Sequence, residues 1–347
     1  MRVGLVGAGR IGAIHATALA ADERVDELVI VDTDRSRAQL VAAEVGAAVG
    51  GSIGELLISH PDCIVVATPT HTHARLVGRC CDLGIAVFCE KPVSMDLAEA
   101  EDLVDAVDAS GVMVHVGFQR RFDAGYVAAR ETLQDGGIGE LRRLHLLTAD
   151  PAPPPRSYIA GSGGIYRDCQ IHDFDVLRWV TGREVVQVFA TGANRGDEHF
   201  GAVGDVDESV ALLTLDDGTL ATVQASRYNG AGYDVRMELA GTRGTIVAGL
   251  DERTPVVSTE PGAAPSPAAP WPGFLQRFAA AYRQEMAAFV TAVGEGLPSP
   301  CTVRDSLQAM LVAEAAGISR RERRPVWVQR AALVRAAAAA AATESVT

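Results

Sequence analysis

The sequence predicts two domains: an α/β domain built on a doubly wound parallel sheet, then an α+β domain built on a large, mostly antiparallel open sheet. Three observations carry this. A glycine-rich turn, Gly7-Ala8-Gly9-Arg10-Ile11-Gly12, joins an apolar strand to a helical run. Short apolar strands then alternate with helical stretches as far as residue 118, the rhythm of parallel strands with helical crossovers. Beyond Phe118 alternating strands replace that rhythm, punctuated by the turn pairs Asp217-Gly218 and Asn229-Gly230.

The elements follow in order. Residues 2–7 form a buried strand, and the helix after the turn runs to Leu19. A second strand, residues 28–31, ends in Asp32, 20 residues after Gly12. That context turns a weak glycine pattern into a dinucleotide site. Gly7 permits the tight turn, Gly9 removes a Cβ that would hold pyrophosphate off the backbone, and Gly12 lets helix and strand pack closely. The helix start at Arg10 and Ile11 offers N–H donors to phosphate. Asp32 can accept from a ribose diol and repels a 2′-phosphate, so NAD is expected over NADP, with Arg35 and Arg37 weakening that preference. Further helices are expected at 36–45, 73–81 and 96–109, and strands at 63–68, 86–90 and 112–117. Two segments therefore fall at strand ends on the ligand edge: Thr68-Pro69 through His73, and Glu90-Lys91-Pro92.

In the second domain strands are expected at residues 141–148, 185–191, 206–215, 219–226 and 235–240, helices at 274–293 and 303–319, and a last strand at 326–328. The domains are placed at residues 1–120 and 121–330. A proline- and alanine-rich loop is expected at 258–273, and residues 331–347 form an alanine-rich tail.

A net charge of −13 argues against a nucleic-acid partner. No run of 18 apolar residues is present, so no membrane span is expected, and with the first strand starting at once no cleavable leader is expected. The 6 cysteines lack C-x-x-C spacing and suit reduced thiols in a cytoplasmic protein. His71 and His73 have no third partner at metal-ligand spacing, and no metal is expected.

The chemistry concentrates in the stretch Gly163 to Asp173, where Asp168 and His172 stand four apart at the start of an apolar helical pattern. On one helix this spacing puts a carboxylate and an imidazole on the same face. Alone, such a pair is more often a helix cap and a satisfied histidine than a dyad. Beside a dinucleotide site it reads as a proton-transfer pair, because oxidising a secondary alcohol needs a base within reach of the hydroxyl and a cation for the developing alkoxide. His172 suits the base, Asp168 can orient or relay, and Lys91 can supply the charge.

With these residues assembled, the chain resembles the Gfo/Idh/MocA oxidoreductase family, and within it the inositol 2-dehydrogenase branch. The likeness covers about residues 1–328 and rests on Gly7 to Gly12 followed by His15, Glu90-Lys91-Pro92, Gly117-Phe118-Gln119-Arg120-Arg121-Phe122-Asp123, the run Asp150 to Pro155, Asp168 with His172, Gly204-Asp205-Val206-Asp207, and Gly232-Tyr233-Asp234-Val235-Arg236. The resemblance implies an NAD-dependent dehydrogenase of a ring polyol, myo-inositol or a close cyclitol, with catalysis by Lys91, Asp168 and His172. It implies cofactor contacts from Gly7, Gly9, Arg10, Ile11, Gly12, Asp32, Arg37, Thr68, Pro69, His73, Glu90 and Lys91. Lys91, Gln119, Arg121, Asp168, His172 and Tyr233 are the implied substrate contacts. An oxidoreductase of an aminocyclitol or sugar derivative, and a non-catalytic dinucleotide-binding regulator, are the alternatives. Residues 209–215 and 219–225 carry apolar or β-branched side chains on both sides of the pleat. A second subunit is expected to cover the outer face, giving a homotetramer built as a dimer of dimers.

Overall fold

The computed structural model describes residues 1–263 and 269–328. The alanine-rich tail and the middle of the proline–alanine loop lie outside the described residues. The chain divides into two compact units, of which the first comprises Met1–Phe122 and Ala280–Gln308. Six strands, β1 (Arg2–Val6), β2 (Glu27–Val31), β3 (Ala48–Val49), β4 (Cys63–Val66), β5 (Ala86–Glu90) and β6 (Val114–Gly117), form a parallel sheet in the order β3-β2-β1-β4-β5-β6. The order reverses between β1 and β4, so the strand ends on either side of that point flank a crevice. Strands covered on both faces carry no alternation: all four residues of β4 are buried. Val3, Leu5, Leu19, Ile30 and Phe88 share a core with Met286 and Phe289.

The second unit starts at Asp123 and, after Ala279, resumes at Ala309. Its sheet holds β7 (Leu141–Ala149), β8 (Val185–Ala193), β9 (Glu208–Leu215), β10 (Leu220–Ser226), β11 (Asp234–Gly241), β12 (Thr245–Ala248) and β13 (Val326–Trp327), in the order β12-β11-β7-β10-β9-β8-β13. Every pairing is antiparallel except β7 with β10. Leu144, Leu146, Leu213, Val223 and Met237 fill the inner face. The helix Ile171–Thr181 lies against β7 and is fixed there by Thr148, whose hydroxyl donates to Asp173 at 2.8 Å. On the outer face Phe189 stands opposite Leu212, and both are exposed along with Val210, Leu220 and Trp327.

The structure departs from the sequence expectation at several points. A single helix over residues 274–293 becomes two, Phe274–Arg277 and Ala279–Glu295, because the chain turns at Phe278 to bury its ring edge-on against Tyr233 at 6.4 Å. The helix Ile53–Ile58 was not anticipated, although Ser52 and Glu55 stand at capping-box spacing and the Ser52 hydroxyl accepts from the Glu55 N–H at 3.2 Å. The helix Ala124–Gln134 and the short strands β3 and β12 were also unanticipated; two and four residues are too few to show a period.

Candidate active site

In the first unit the glycine turn behaves as its spacing requires. Gly7 has φ +99°, and a Cβ there would sit 2.5 Å from the Ala67 carbonyl oxygen. A Cβ on Gly12 would overlap the Gly7 carbonyl. A Cβ on Gly9 would meet nothing within 4 Å, so the space beside it is open. Gly9 also caps the helix Arg10–Ala20 and, being glycine, brings no side-chain cap to its first turn. These are the conditions under which a pyrophosphate can lie on the backbone. At the end of β2, Asp32 accepts from the Ala8 N–H and the Asp34 N–H, each at 2.7 Å. Arg37 stands 3.7 Å from the same carboxylate. The residue expected at the ribose therefore also ties the glycine turn to β2.

The two strand-end loops are joined by His73, whose ring nitrogens lie 2.8 Å from the Pro92 and Thr68 carbonyl oxygens. Burial lowers its pKa against the pull of those carbonyls. Thr68 and Thr72 share a hydroxyl hydrogen bond at 2.6 Å, and Pro69 accepts from Thr72. Glu90 meets His15 at 2.7 Å and lies against Gly117, where a Cβ would approach its carboxylate to 3.2 Å. Lys91 follows, joined to Pro92 by a cis peptide. Gln119 and Arg121 are buried, and Arg121 pairs with Asp305 at 3.3 Å and donates to the Pro300 carbonyl at 3.1 Å.

In the second unit the expected single helix carrying Asp168 and His172 is corrected. Ile165–Asp168 is a short helix of its own, the chain turns through Cys169 and Gln170, and the helix Ile171–Thr181 begins afresh. Gly163 and Gly164 lead into the first piece at φ +83° and +84°. Asp205 explains the second glycine: its carboxylate accepts the Ile165 N–H at 3.0 Å, and a Cβ on Gly164 would come within 2.8 Å of it. Gln170 is drawn into the core, donating to the Val223 carbonyl at 3.3 Å, where the chain leaves helical register between Asp168 and His172.

Asp168 is thus the last residue of one helix and His172, half-buried, the second residue of the next. One oxygen of Asp168 accepts the Tyr158 hydroxyl at 2.8 Å and the other accepts the Arg227 guanidinium at 2.7 Å. Arg227 also reaches Asp150 at 3.3 Å, and the Cys169 thiol donates to that second carboxylate at 3.5 Å. Burial, with Asp168 adding to it, raises the Asp150 pKa above the ordinary carboxylate range against the pull of Arg227. Tyr233 is buried, its N–H donating to the Trp271 carbonyl at 3.0 Å. Arg227 and Tyr158 were not anticipated from the sequence. Their signals were position alone: an arginine closing a strand that alternates, and a tyrosine just past a proline run. Among the described residues, no cluster of three His, Cys, Asp or Glu could hold a metal, and no helix is long and apolar enough to cross a membrane.

Comparison with known proteins places this geometry in context. Residues 1–118 match the oxidoreductase family with an NAD-binding Rossmann fold, and residues 126–247 match the GFO/IDH/MocA C-terminal domain. The chain is 39% identical to the myo-inositol dehydrogenase Hyg17 of Streptomyces leeuwenhoekii, over 91% of this chain and 96% of that one. It is 36% identical to the myo-inositol 2-dehydrogenase of Thermotoga maritima, over 95% and 99%. The scyllo-inositol dehydrogenase of Lactobacillus casei, solved with NAD(H) and scyllo-inositol bound, superposes with a TM-score of 0.85 at 28% identity, covering 95% of this chain and 99% of that one. Matched over both its Rossmann half and its C-terminal half, the chain belongs to the Gfo/Idh/MocA family of NAD-binding oxidoreductases.

Proposed function

We propose that the protein oxidises a secondary hydroxyl of a cyclitol, first myo-inositol to its 2-keto product, scyllo-inosose, with NAD as acceptor. The observation that carries this reading is the fixed carboxylate of Asp168, held on both oxygens, in a chain whose glycine turn leaves a phosphate cradle open. The inositol dehydrogenases it resembles over nine-tenths of its length supply the substrate class. Bound NAD supplies the hydride acceptor. His172 takes the hydroxyl proton, Asp168 orients the base and stabilises its charged form, and Lys91 favours the developing alkoxide. Gln119, Arg121 and Tyr233 shape the polyol's surroundings, and Asp32 with Arg37 sets the choice between NAD and NADP.

Following absorbance at 340 nm with NAD and a panel of myo-inositol, scyllo-inositol, an aminocyclitol and a hexose tests the reading. Turnover is expected first with myo-inositol. Turnover with the aminocyclitol or hexose alone would replace it by a biosynthetic oxidoreductase, and none with any would favour a dinucleotide-binding regulator.

The same reading includes a homotetramer, in which the exposed Phe189, Val210, Leu212, Leu220 and Trp327 of one sheet face are covered by the same face of a second subunit. Light scattering at micromolar concentration is expected to give four chain masses; a monomer would refute the interface. A cytoplasmic location fits the cysteines, all of them buried and outside any disulfide.

A further inference from the structure

The parallel pairing of β7 with β10 brings two strand ends to the same side of the second sheet. Ser226 is in register with Ala149, and the Asp150 N–H donates to the Ser226 carbonyl at 2.9 Å. The next residues along, Asp150 and Arg227, are therefore neighbours by construction. Arg227 is further fixed through its own N–H, which donates at 2.8 Å to the carbonyl of Asp207, while the Asp207 carboxylate holds the Arg195 and Gly196 amides. Its side chain is 4% exposed, and a guanidinium keeps its proton even there, so it is a permanent positive charge.

We propose that Arg227 is a positioning residue for proton transfer: it keeps Asp168 ionised and aimed, and Asp150 is the reserve carboxylate that shares the guanidinium. This rests on the reading that Asp168 and His172 move the hydroxyl proton. Around Asp168 stand Arg227 and Asp150 at the two strand ends, Tyr158 on the helix Arg156–Ile159 and Cys169 beside it, with His172 the second residue of the following helix. Three of these, Asp150, Asp168 and Arg227, sum to one negative charge when both carboxylates are ionised. Arg227 lies 2.7 Å from Asp168 and 3.3 Å from Asp150, so its charge is committed chiefly to Asp168. Asp150 is thereby the carboxylate that gains a proton first, in keeping with its raised pKa. An ionised, doubly hydrogen-bonded Asp168 stabilises a protonated base without taking its proton.

The test uses full-length protein labelled with carboxyl-13C aspartate, the Asp168 signal being assigned by its loss in Asp168→Asn. Relative to the wild type, the titration of this signal is expected to move up by about one pH unit or more in Arg227→Met. Arg227→Lys, which keeps the charge without the fork, is expected to fall between them and carries the same measurement should the methionine variant not fold. In kinetics, Arg227→Met is expected to lower kcat by about ten- to hundredfold with NADH affinity unchanged. Combined with Asp168→Asn it is expected to cost no more than Asp168→Asn alone. An Asp168 titration that does not move in either folded Arg227 variant overturns the proposal. A wild type that turns over no cyclitol overturns the functional reading instead, and leaves the carboxyl titration to decide the role of Arg227.

Discussion

Asp32 and Asp168 are both carboxylates at the ends of regular elements, one in each unit, and they are held in opposite ways. Asp32 is fixed by two backbone N–H groups, from Ala8 and Asp34. Asp168 is fixed by a guanidinium and a phenol, from Arg227 and Tyr158. Backbone donors come with the strand–turn–helix geometry whatever side chains surround it, and as neutral dipoles they leave the carboxylate free to accept from a ribose. A charged partner must be delivered by a distant strand, but it holds ionisation as well as orientation. The contrast suits the two tasks proposed for them: recognition of a diol asks for an acceptor, and support of a base asks for a fixed charge.

Breaking the second site while sparing the first is the strongest test of this division. His172→Ala is expected to lower kcat by about two to four orders of magnitude, with NADH affinity by calorimetry nearly unchanged. Near-normal turnover would remove His172 from the base role. Lys91→Met is expected to cost about a hundredfold or more in kcat with the fold and dinucleotide binding retained. Loss of folding in circular dichroism would reassign Lys91 to a structural pair.

The converse experiment changes the first site. Asp32→Ser is expected to shift the NAD over NADP ratio of kcat/KM toward NADP by about tenfold or more, because Arg37, already 3.7 Å from that carboxylate, would then face a phosphate without a competing charge. A wild type already faster with NADP would contradict the role given to Asp32.

A separate effect concerns stability rather than turnover. His115 is fully buried, stacked on Phe88 at 5.2 Å and on Phe122 at 5.6 Å, and burial pulls its pKa down to about 3, with Arg121 and His15 adding to the shift. The unfolded chain takes up this proton near pH 6.5 and the folded one does not. The stability due to a neutral His115 is therefore complete above pH 6.5 and is lost progressively as pH falls toward 3. His115→Phe is expected to reduce the loss of stability between pH 7 and pH 4.5 by roughly 2–3 kcal/mol in urea titrations. An unchanged pH dependence would place the proton elsewhere.

The two sites also differ in how far they could be read beforehand. The glycine turn, Asp32, Thr68 and Lys91 follow from spacing, because each lies at the end of a strand whose parallel neighbours are set by short crossovers. The helix over residues 165–181 could not be read in the same way. Apolar periodicity passes through Cys169 and Gln170 without a mark, and the break comes where Gln170 finds the Val223 carbonyl on β10. Tyr158 and Arg227 meet Asp168 from 10 residues before it and 59 after it.

By itself the sequence determined the strand–helix alternation of the first unit, the dinucleotide turn with its acid, the candidate pair Asp168 and His172 and the two-sided apolar character of strands β9 and β10. These are properties of spacing and periodicity, written in residues close together in the chain. Only the tertiary structure decided that Asp168 and His172 sit on separate helices, that Asp205 caps the first of them, and that Asp150 and Arg227 arrive together beside Asp168. That last meeting depends on β7 pairing in parallel with β10 across about seventy residues of chain, and strand pairing at such range is selected by the burial of whole faces rather than by any local signal.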